Sequence, residues 1–275
     1  MICPKKLNSQ YKAHRVIPFI GAGVSVAVEW RKNGILQSGL TWNQLVEQAM
    51  KIMGFNRPEL LRFRGTDFQI LEYFKLKNSN RINKLTKWMA THMSPPRHAL
   101  KKSKIHNELS RLRKCKTFYT TNFDNFLERG LKINGRNCHV VTVESDMGGF
   151  VKDCEVVKFH GDWDNPEKIV LTESDYERRL PLSTEMDHKL WGDLYGRVLL
   201  FIGYSFRDPN VSYLFRLFTD AGFPKRSQSK SPRAYIVVPN PSRFEIELFK
   251  SRNIEVIGVN NFKTDIVKLL QEMRS

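Results

Sequence analysis

The chain has 275 residues and a formal charge of +17, from 45 Lys plus Arg against 28 Asp plus Glu. Its 41% hydrophobic content, with 18 Phe, 8 Tyr and 5 Trp, excludes a mainly disordered protein. No run of about 18 apolar residues is present to span a membrane, and the opening MICPKKLNSQYKAHR lacks the apolar region of a signal peptide. We therefore expect a cytoplasmic protein with no membrane segment.

Seven apolar segments predict β-strands. They are, in chain order, HRVIPFIGAG, KTFYTTNFD, CHVVTV, CEVVKFHGD, RVLLFIGYS, PRAYIVVPN and NIEVIGV. Apolar residues recur at helical spacing between Val211 and Phe218 and again between Ile266 and Met273. Strands that alternate with helices predict an α/β fold with a Rossmann-like, doubly wound parallel sheet, covered on both faces.

Residues 41–113 break this alternation. Thr41 can cap a helix that has an apolar face from Leu45 to Met53, and three further helical patterns follow without a convincing strand. We interpret this stretch as a helical module inserted between the first and second strands of the sheet. The Rossmann-like domain would then consist of residues 1–40 and 114–275.

The four cysteines show no metal-binding motif. They are Cys3, Cys115, Cys138 and Cys154, and no two lie within four residues of each other. This spacing does not match paired zinc ligands. We expect reduced thiols and no zinc.

The first strand ends in FIGAGVS, at Phe19–Ser25. Gly21 and Gly23 allow the backbone to approach a ligand closely or to adopt a positive φ, and N–H groups at a helix start favour a pyrophosphate. Position 26 is Val, so the segment is not the dehydrogenase G-x-G-x-x-G motif. A tight strand-to-helix turn without any ligand is the alternative interpretation.

Two other strand ends carry polar side chains. TTNFDNF, at Thr120–Phe126, offers the amide of Asn122 and the carboxylate of Asp124 where open parallel sheets bind ligands. Capping of the following helix by these side chains or by Thr121 is an equal alternative. His160 ends the strand of KFHGD and can act as a base near neutral pH, although a lone histidine is more often structural.

The last two candidate positions also follow predicted strands. Ser205 lies in FIGYSFRDPNV, where Asp208 and Pro209 are typical of a helix start. Asn240 ends the segment VVPN. These positions are expected at the same edge of the sheet as Asn122 and His160.

Together these motifs resemble the sirtuin family, in particular the sirtuin-like, NAD-consuming domains of bacterial antiphage defence systems. GAGVS, TTNFD, FHGD and GYSFRDP are similar to four segments of that family, as are IVLTESDY and GLTW. Protein-deacetylating sirtuins have a four-cysteine zinc module after the His-Gly segment, but residues 161–197 contain no cysteine here. Their G-I-P-D-F-R segment is also missing, so the resemblance favours destruction of NAD over deacylation.

The resemblance implies catalytic roles for three residues. Asn122 would orient the water or the ribose, His160 would accept a proton, and Asp124 would fix the local geometry or contact the nicotinamide. The residues expected to bind the rest of the dinucleotide are Gly21, Ala22, Gly23, Ser25, Thr121, Gly203, Ser205 and Asn240.

The implied function is an NAD glycohydrolase that releases nicotinamide and ADP-ribose and so depletes NAD during abortive infection. Because such activity would harm its host, we expect it to be gated by self-assembly into a homo-oligomer or by a partner such as a ring ATPase or an Argonaute-like sensor. Two alternatives remain: an NAD-dependent protein deacylase, and a non-catalytic module that binds NAD, ADP-ribose or nucleic acid. The spread of basic residues predicts either solvated helix faces or a docking surface, including one for nucleic acid.

Overall fold

Strands and helices alternate in a computed structural model that describes residues 2–179, 181, 183–204 and 232–275. The predicted helix from Val211 to Phe218, the Asp208–Pro209 helix start and Ser205 lie outside the described residues. The strands are β1 (Val16–Ile20), β2 (Glu29–Lys32), β3 (Ile35–Ser38), β4 (Thr117–Thr120), β5 (Cys138–Val141), β6 (Cys154–Lys158), β7 (Val198–Ile202), β8 (Ala234–Pro239) and β9 (Ile254–Val259).

One helix precedes β1, one follows β9, and the others lie in the segments between the strands. They are α1 (Lys5–Lys12), α2 (Ala22–Val26), α3 (Trp42–Ile52), α4 (Asp67–Lys77), α5 (Asn83–His92), α6 (Arg97–Lys102), α7 (Lys104–Arg111), α8 (Phe126–Ile133), α9 (Glu173–Arg179), α10 (Glu185–Leu194), α11 (Arg243–Ser251) and α12 (Phe262–Arg274). Short 3₁₀ turns lie at Pro58–Phe63, Glu144–Asp146 and Pro166–Lys168. Within the described ranges, no helix is long and apolar enough to cross a membrane.

The main sheet has the strand order β5-β6-β4-β1-β7-β8-β9, and its neighbours pair in parallel. All seven predicted strands are present, and the Rossmann-like α/β fold is confirmed. β1 lies at the centre, between β4 and β7, so the loops that follow these three strands meet at one edge of the sheet. Parallel strands place all their carboxyl ends at that edge.

Helices cover both faces of the sheet with their apolar sides. Val16 and Ile20 of β1 pack with residues of α1, α7, α8 and α12 in one cluster. Ile17 and Phe19 point to the other cluster, which includes Met186 and Leu190 of α10. Burial of alternate strand residues on opposite faces explains why these strands appear as continuous apolar runs in the sequence.

Residues 41–113 form helices, as predicted, and Thr41 caps α3 through a capping box with Gln44. Helices α3, α4, α5 and α6 share an apolar cluster with Trp30, Phe126 and Trp163. Ile105 of α7 packs instead with the main sheet. The division of the chain into two domains stays a prediction.

An antiparallel hairpin, β2–β3, precedes this helical stretch and was not predicted. Its turn has Asn33 at φ 53° and Gly34 at φ 78°, and Asn-Gly is a strong hairpin signal. The hairpin was missed because Ile35 and Leu36 are exposed, so the strands show no clear buried face. Trp30 anchors the hairpin against the helical cluster.

His106 on α7 makes stability depend on pH. The imidazole is buried, with Nδ1 2.8 Å from Ser103 Oγ, and burial lowers its pKa to about 4. An unfolded histidine has a pKa of about 6.5, so unfolding takes up a proton in this pH window. We expect the free energy of unfolding to fall as the pH drops from about 6.5 to 4, by up to about 1.4 kcal/mol per pH unit from this group.

Urea titrations across this pH range test the expectation. The change of the free energy of unfolding with pH should be smaller in His106→Gln than in the wild type. It should be unchanged in His98→Gln, a control at an exposed position of α6. Equal slopes in the wild type and His106→Gln would contradict it.

Candidate functional site

The glycine motif packs against the end of β7. The N–H groups of Gly21 and Gly23 donate to the carbonyls of Ile202 and Gly203, at 2.8 and 2.9 Å. A Cβ atom on Gly21 would lie 2.6 Å from the Gly203 carbonyl oxygen, and one on Gly23 would lie 2.8 Å from Gly203 Cα. The positive φ, +85°, belongs to Gly203 and not to Gly21, whose φ is −108°. Close approach of two backbone turns therefore accounts for both glycines of the motif.

Replacing Gly203 by alanine should destabilise the protein by about 2 kcal/mol or more, because the side chain meets both a strained φ and the backbone of Gly21 and Val24. Gly196→Ala is the matched control, since Gly196 has φ +78° but open space around it. The control should be destabilised only by the strain of an alanine at positive φ, which costs about 1 kcal/mol. Denaturant titrations compare the two, and equal losses would contradict the packing argument.

Hydrogen bonds join the ends of β1, β4 and β7. Thr120 Oγ1 donates to the carbonyl of Ile20 at 2.8 Å and accepts from the Asn122 N–H at 3.0 Å. The side-chain amide of Asn122 donates to Ser25 Oγ at 3.1 Å. Thr121 Oγ1 lies 2.9 Å from the hydroxyl of Tyr204. The predicted residues Ser25, Thr121 and Asn122 are thus brought together, buried, by the tertiary fold.

Asp124 precedes Asn125, the N-cap residue of α8, and its side chain holds the turn that leads into this helix. Its Oδ1 accepts the Phe126 N–H at 2.9 Å at the start of α8. Burial raises the pKa of this carboxyl group, while Lys158 opposes the rise. Asp124 therefore shapes the turn that presents Asn122.

Lys158 lies beneath this turn and was not selected from the sequence. Its ammonium group donates to the carbonyls of Phe123 and Asp124 at 3.3 and 2.6 Å, and it pairs with Asp162 and with Glu128 at 3.3 Å. Burial acts to lower the pKa of Lys158, but these carboxylates raise it overall, so the side chain is charged. Lys158 could have been identified from the sequence, because it is a lysine within the mainly apolar strand of CEVVKFHGD.

His160 follows β6, the strand that pairs directly with β4. Its imidazole is buried, and its Nδ1 lies 3.3 Å from the hydroxyl of Tyr176. Nε2 is buried without a hydrogen-bond partner in the described part of the chain. Burial, and then the charge of Arg179, hold the pKa well below its ordinary value. A neutral imidazole at physiological pH can accept a proton.

An open cleft lies between the strand ends and the helices α3 and α5. It holds about 560 Å³ of empty space, solvent included. The predicted residues Ala22, Thr121, Asn122 and Asp124 line one side. The other side is an apolar wall. It includes Trp42 of the GLTW segment, and Leu45, Met89 and Met93, which the sequence analysis did not select. Such a cleft, apolar with a few polar groups, is typical of small-molecule sites.

His160 is not among the described residues that line this cleft. A series of ring contacts connects the two: Trp42 to Phe68 at 5.5 Å, Phe68 to Tyr176 at 4.3 Å, and Tyr176 to His160 at 5.4 Å between centroids. The cleft and the histidine therefore border the same aromatic group.

The remaining predicted contacts lie further along the sheet. Gly203 ends β7 beside the glycine motif, and Ser205 is outside the described residues. Asn240 follows β8, exposed and with φ 44°, and its N–H donates to the carbonyl of Val259 at 2.8 Å. Its assignment to the adenosine side stays a prediction.

The described residues contain no group of three or more His, Cys, Asp or Glu side chains that could hold a metal ion. The four cysteines are free thiols.

Comparison with known proteins gives a consistent result. The family model of the SIR2-like domain matches residues 116–257. A protein named NAD(+) hydrolase ThsA from Bacillus cereus (strain MSX-D12) is 28% identical over 94% of this chain and 53% of its own length. A protein of the same name from Enterococcus faecium is 24% identical over 96% of this chain and 54% of its own length. Defense-associated sirtuin 2 from Bacillus subtilis is 20% identical over 77% of this chain and 20% of its own length. The chain thus spans about half the length of the first and second of these relatives and a fifth of the third.

Proposed function

The chain belongs to the SIR2-like domain family, and we propose that it is an NAD hydrolase of antiphage defence that releases nicotinamide and ADP-ribose. The relatives named NAD(+) hydrolase support this proposal because they align over nearly the whole chain. One structural observation carries it. Asn122 lines an open cleft, and a buried, neutral His160 follows the neighbouring strand.

The residues of the site suit the cleavage of the bond between nicotinamide and ribose. The nicotinamide ring of NAD is cationic and departs as a neutral molecule, so its departure needs no general acid. The ribose then develops oxocarbenium character, as in glycoside hydrolysis. In our proposal Asn122, fixed by Ser25, orients the water or the ribose, and His160 accepts a proton. Asp124 holds the turn of Asn122 or contacts the nicotinamide.

We propose that the neighbouring strand ends bind the pyrophosphate and the adenosine of NAD. The segment from Gly21 to Ser25 would face the pyrophosphate, with Thr121 beside it. Gly203, Ser205 and Asn240 would lie towards the adenosine. The N–H groups of Gly21 and Gly23 already donate within the protein, so the proposal gives these glycines close packing as their main role.

The test is to incubate the purified protein with NAD and to separate the products by chromatography. Equal amounts of nicotinamide and ADP-ribose would support hydrolysis. An acylated peptide as an obligatory co-substrate, with O-acyl-ADP-ribose as product, would indicate a deacylase instead. Unchanged NAD in the presence of measurable NAD binding, with all candidate activators tried, would favour a non-catalytic sensor.

We also propose that self-assembly or a protein partner restrains this activity, and that basic helices take part. Helix α1 and helix α6 carry no Asp or Glu, and the one carboxylate of α7, Glu108, is buried and paired with Arg111 and Arg274. Such basic helices suit a polyanion such as nucleic acid. An affinity for DNA that falls steeply as the salt concentration rises would support nucleic-acid binding by these basic residues. An affinity that does not change with salt would contradict it.

A further inference from the structure

Tyr176 contacts the histidine of the proposed site. We propose that Tyr176 is a positioning residue that holds the His160 imidazole with Nε2 available as the base, and that α4 in turn holds Tyr176. This inference rests on the proposed NAD cleavage.

The geometry at His160 defines the hydrogen bond. The Tyr176 hydroxyl lies 3.3 Å from Nδ1, and the two rings meet edge to face at 90°. When the Nδ1–H donates to the tyrosine oxygen, the neutral ring keeps its lone pair on Nε2. Nε2 is buried without a partner in the described residues, so that lone pair is not used within them. The opposite arrangement, with the tyrosine as donor, would place the proton on Nε2 and remove the base.

Helix α4 anchors Tyr176 from the helical stretch. The ring of Phe68 lies 4.3 Å from the Tyr176 ring between centroids. On the same helix, Glu72 accepts the Ser174 N–H at 3.0 Å, and Lys75 pairs with Asp175 at 3.0 Å. The two residues that precede Tyr176 are therefore both tied to α4. This arrangement connects the helical stretch of residues 41–113 to the orientation of His160.

The charged groups near His160 are already paired. Arg179, on the same helix as Tyr176, donates to the carbonyl of Phe159 at 2.6 Å and pairs with Asp187 of α10. Its positive charge disfavours the imidazolium form of His160. In the proposed arrangement the Tyr176 oxygen accepts from Nδ1 and offsets part of this effect. Removing the hydroxyl should then lower the pKa of His160 further.

Tyr176→Phe tests the proposal, with Tyr73→Phe on α4 as the matched control. Tyr73 is partly exposed and contacts Phe55 and Lys77. We expect Tyr176→Phe to lower kcat about tenfold with KM unchanged, and to move the acid limb of the kcat/KM profile to lower pH. The control should keep wild-type values. An unchanged kcat in Tyr176→Phe, or an acid limb that moves to higher pH, would overturn the proposal.

Nitrogen-15 NMR of the wild-type imidazoles, assigned with His160→Gln, provides a readout independent of activity. The Nδ1–H tautomer is expected at His160, and the Nε2–H tautomer would overturn the proposal. If the wild type released no nicotinamide, the proposed function would fail while the tautomer could still be read. Phe68→Leu leaves the side chains of His160 and Tyr176 in place, and it should lower kcat as Tyr176→Phe does. An unchanged kcat in Phe68→Leu would overturn the proposal that α4 holds Tyr176.

Discussion

His160→Ala and Asn122→Ala are each expected to reduce NAD cleavage by about 10²–10⁴-fold. In the proposed mechanism His160 is the acceptor of a proton, and Asn122 aligns the reacting groups at the edge of the cleft. Both residues lie in the turns that follow β4 and β6, outside the strands themselves, so we expect both variants to remain folded. The measurement is nicotinamide release under conditions in which the wild type is active.

His188→Ala is the control for this experiment, because His188 is exposed on α10. It should retain wild-type turnover. Wild-type NAD cleavage in either His160→Ala or Asn122→Ala would refute the role given to that residue. Activity that depends on neutral His160 should also persist below pH 6.5 and decline only as the pH falls through its lowered pKa.

Lys158→Met is expected to reduce the free energy of unfolding by about 3–5 kcal/mol. The substitution leaves the buried carboxyl groups of Asp124 and Asp162, and the partly buried one of Glu128, without their cation. It also removes the donor to the carbonyls of Phe123 and Asp124. Denaturant titration at neutral pH measures the loss.

Arg243→Met provides the comparison, because Arg243 and Glu247 form an exposed ion pair. Such a pair contributes little, so its loss should cost less than about 1 kcal/mol. Adding Asp162→Asn to Lys158→Met should restore part of the stability, since one uncompensated charge is removed. A single-variant loss no larger than that of Arg243→Met would show that Lys158 is not needed to balance these carboxyl groups.

Local sequence patterns were sufficient for the sheet. Strands such as β1 and β7 are uniformly buried, so they appear as unbroken apolar runs that end in glycine turns. Thr41 could be identified as a helix cap because capping is a local interaction. The hairpin β2–β3 was missed because Trp30 is the one buried residue of its two short strands, and only Asn33–Gly34 signals its turn.

The candidate site residues could be predicted from the sequence to a similar extent. The polar residues after β1, β4 and β6 could be selected because strand ends of a parallel sheet share one edge. The pattern could not tell whether Asp124 caps a helix or faces a ligand, since the same residue type serves both. The structure shows Asp124 both bonded to the Phe126 N–H at the start of α8 and lining the cleft, and the roles in catalysis remain proposals.

Local patterns in the chain were therefore enough to predict the parallel α/β sheet, the helical character of residues 41–113 and the candidate residues at the strand ends. The folded chain was needed to place Lys158 beneath the turn of Asn122, Tyr176 against His160, and Gly203 against the glycine motif. The two kinds of feature differ in the range of the interactions behind them. Backbone periodicity and capping depend on residues a few positions apart, whereas buried ion pairs and backbone contacts join segments that the chain separates widely.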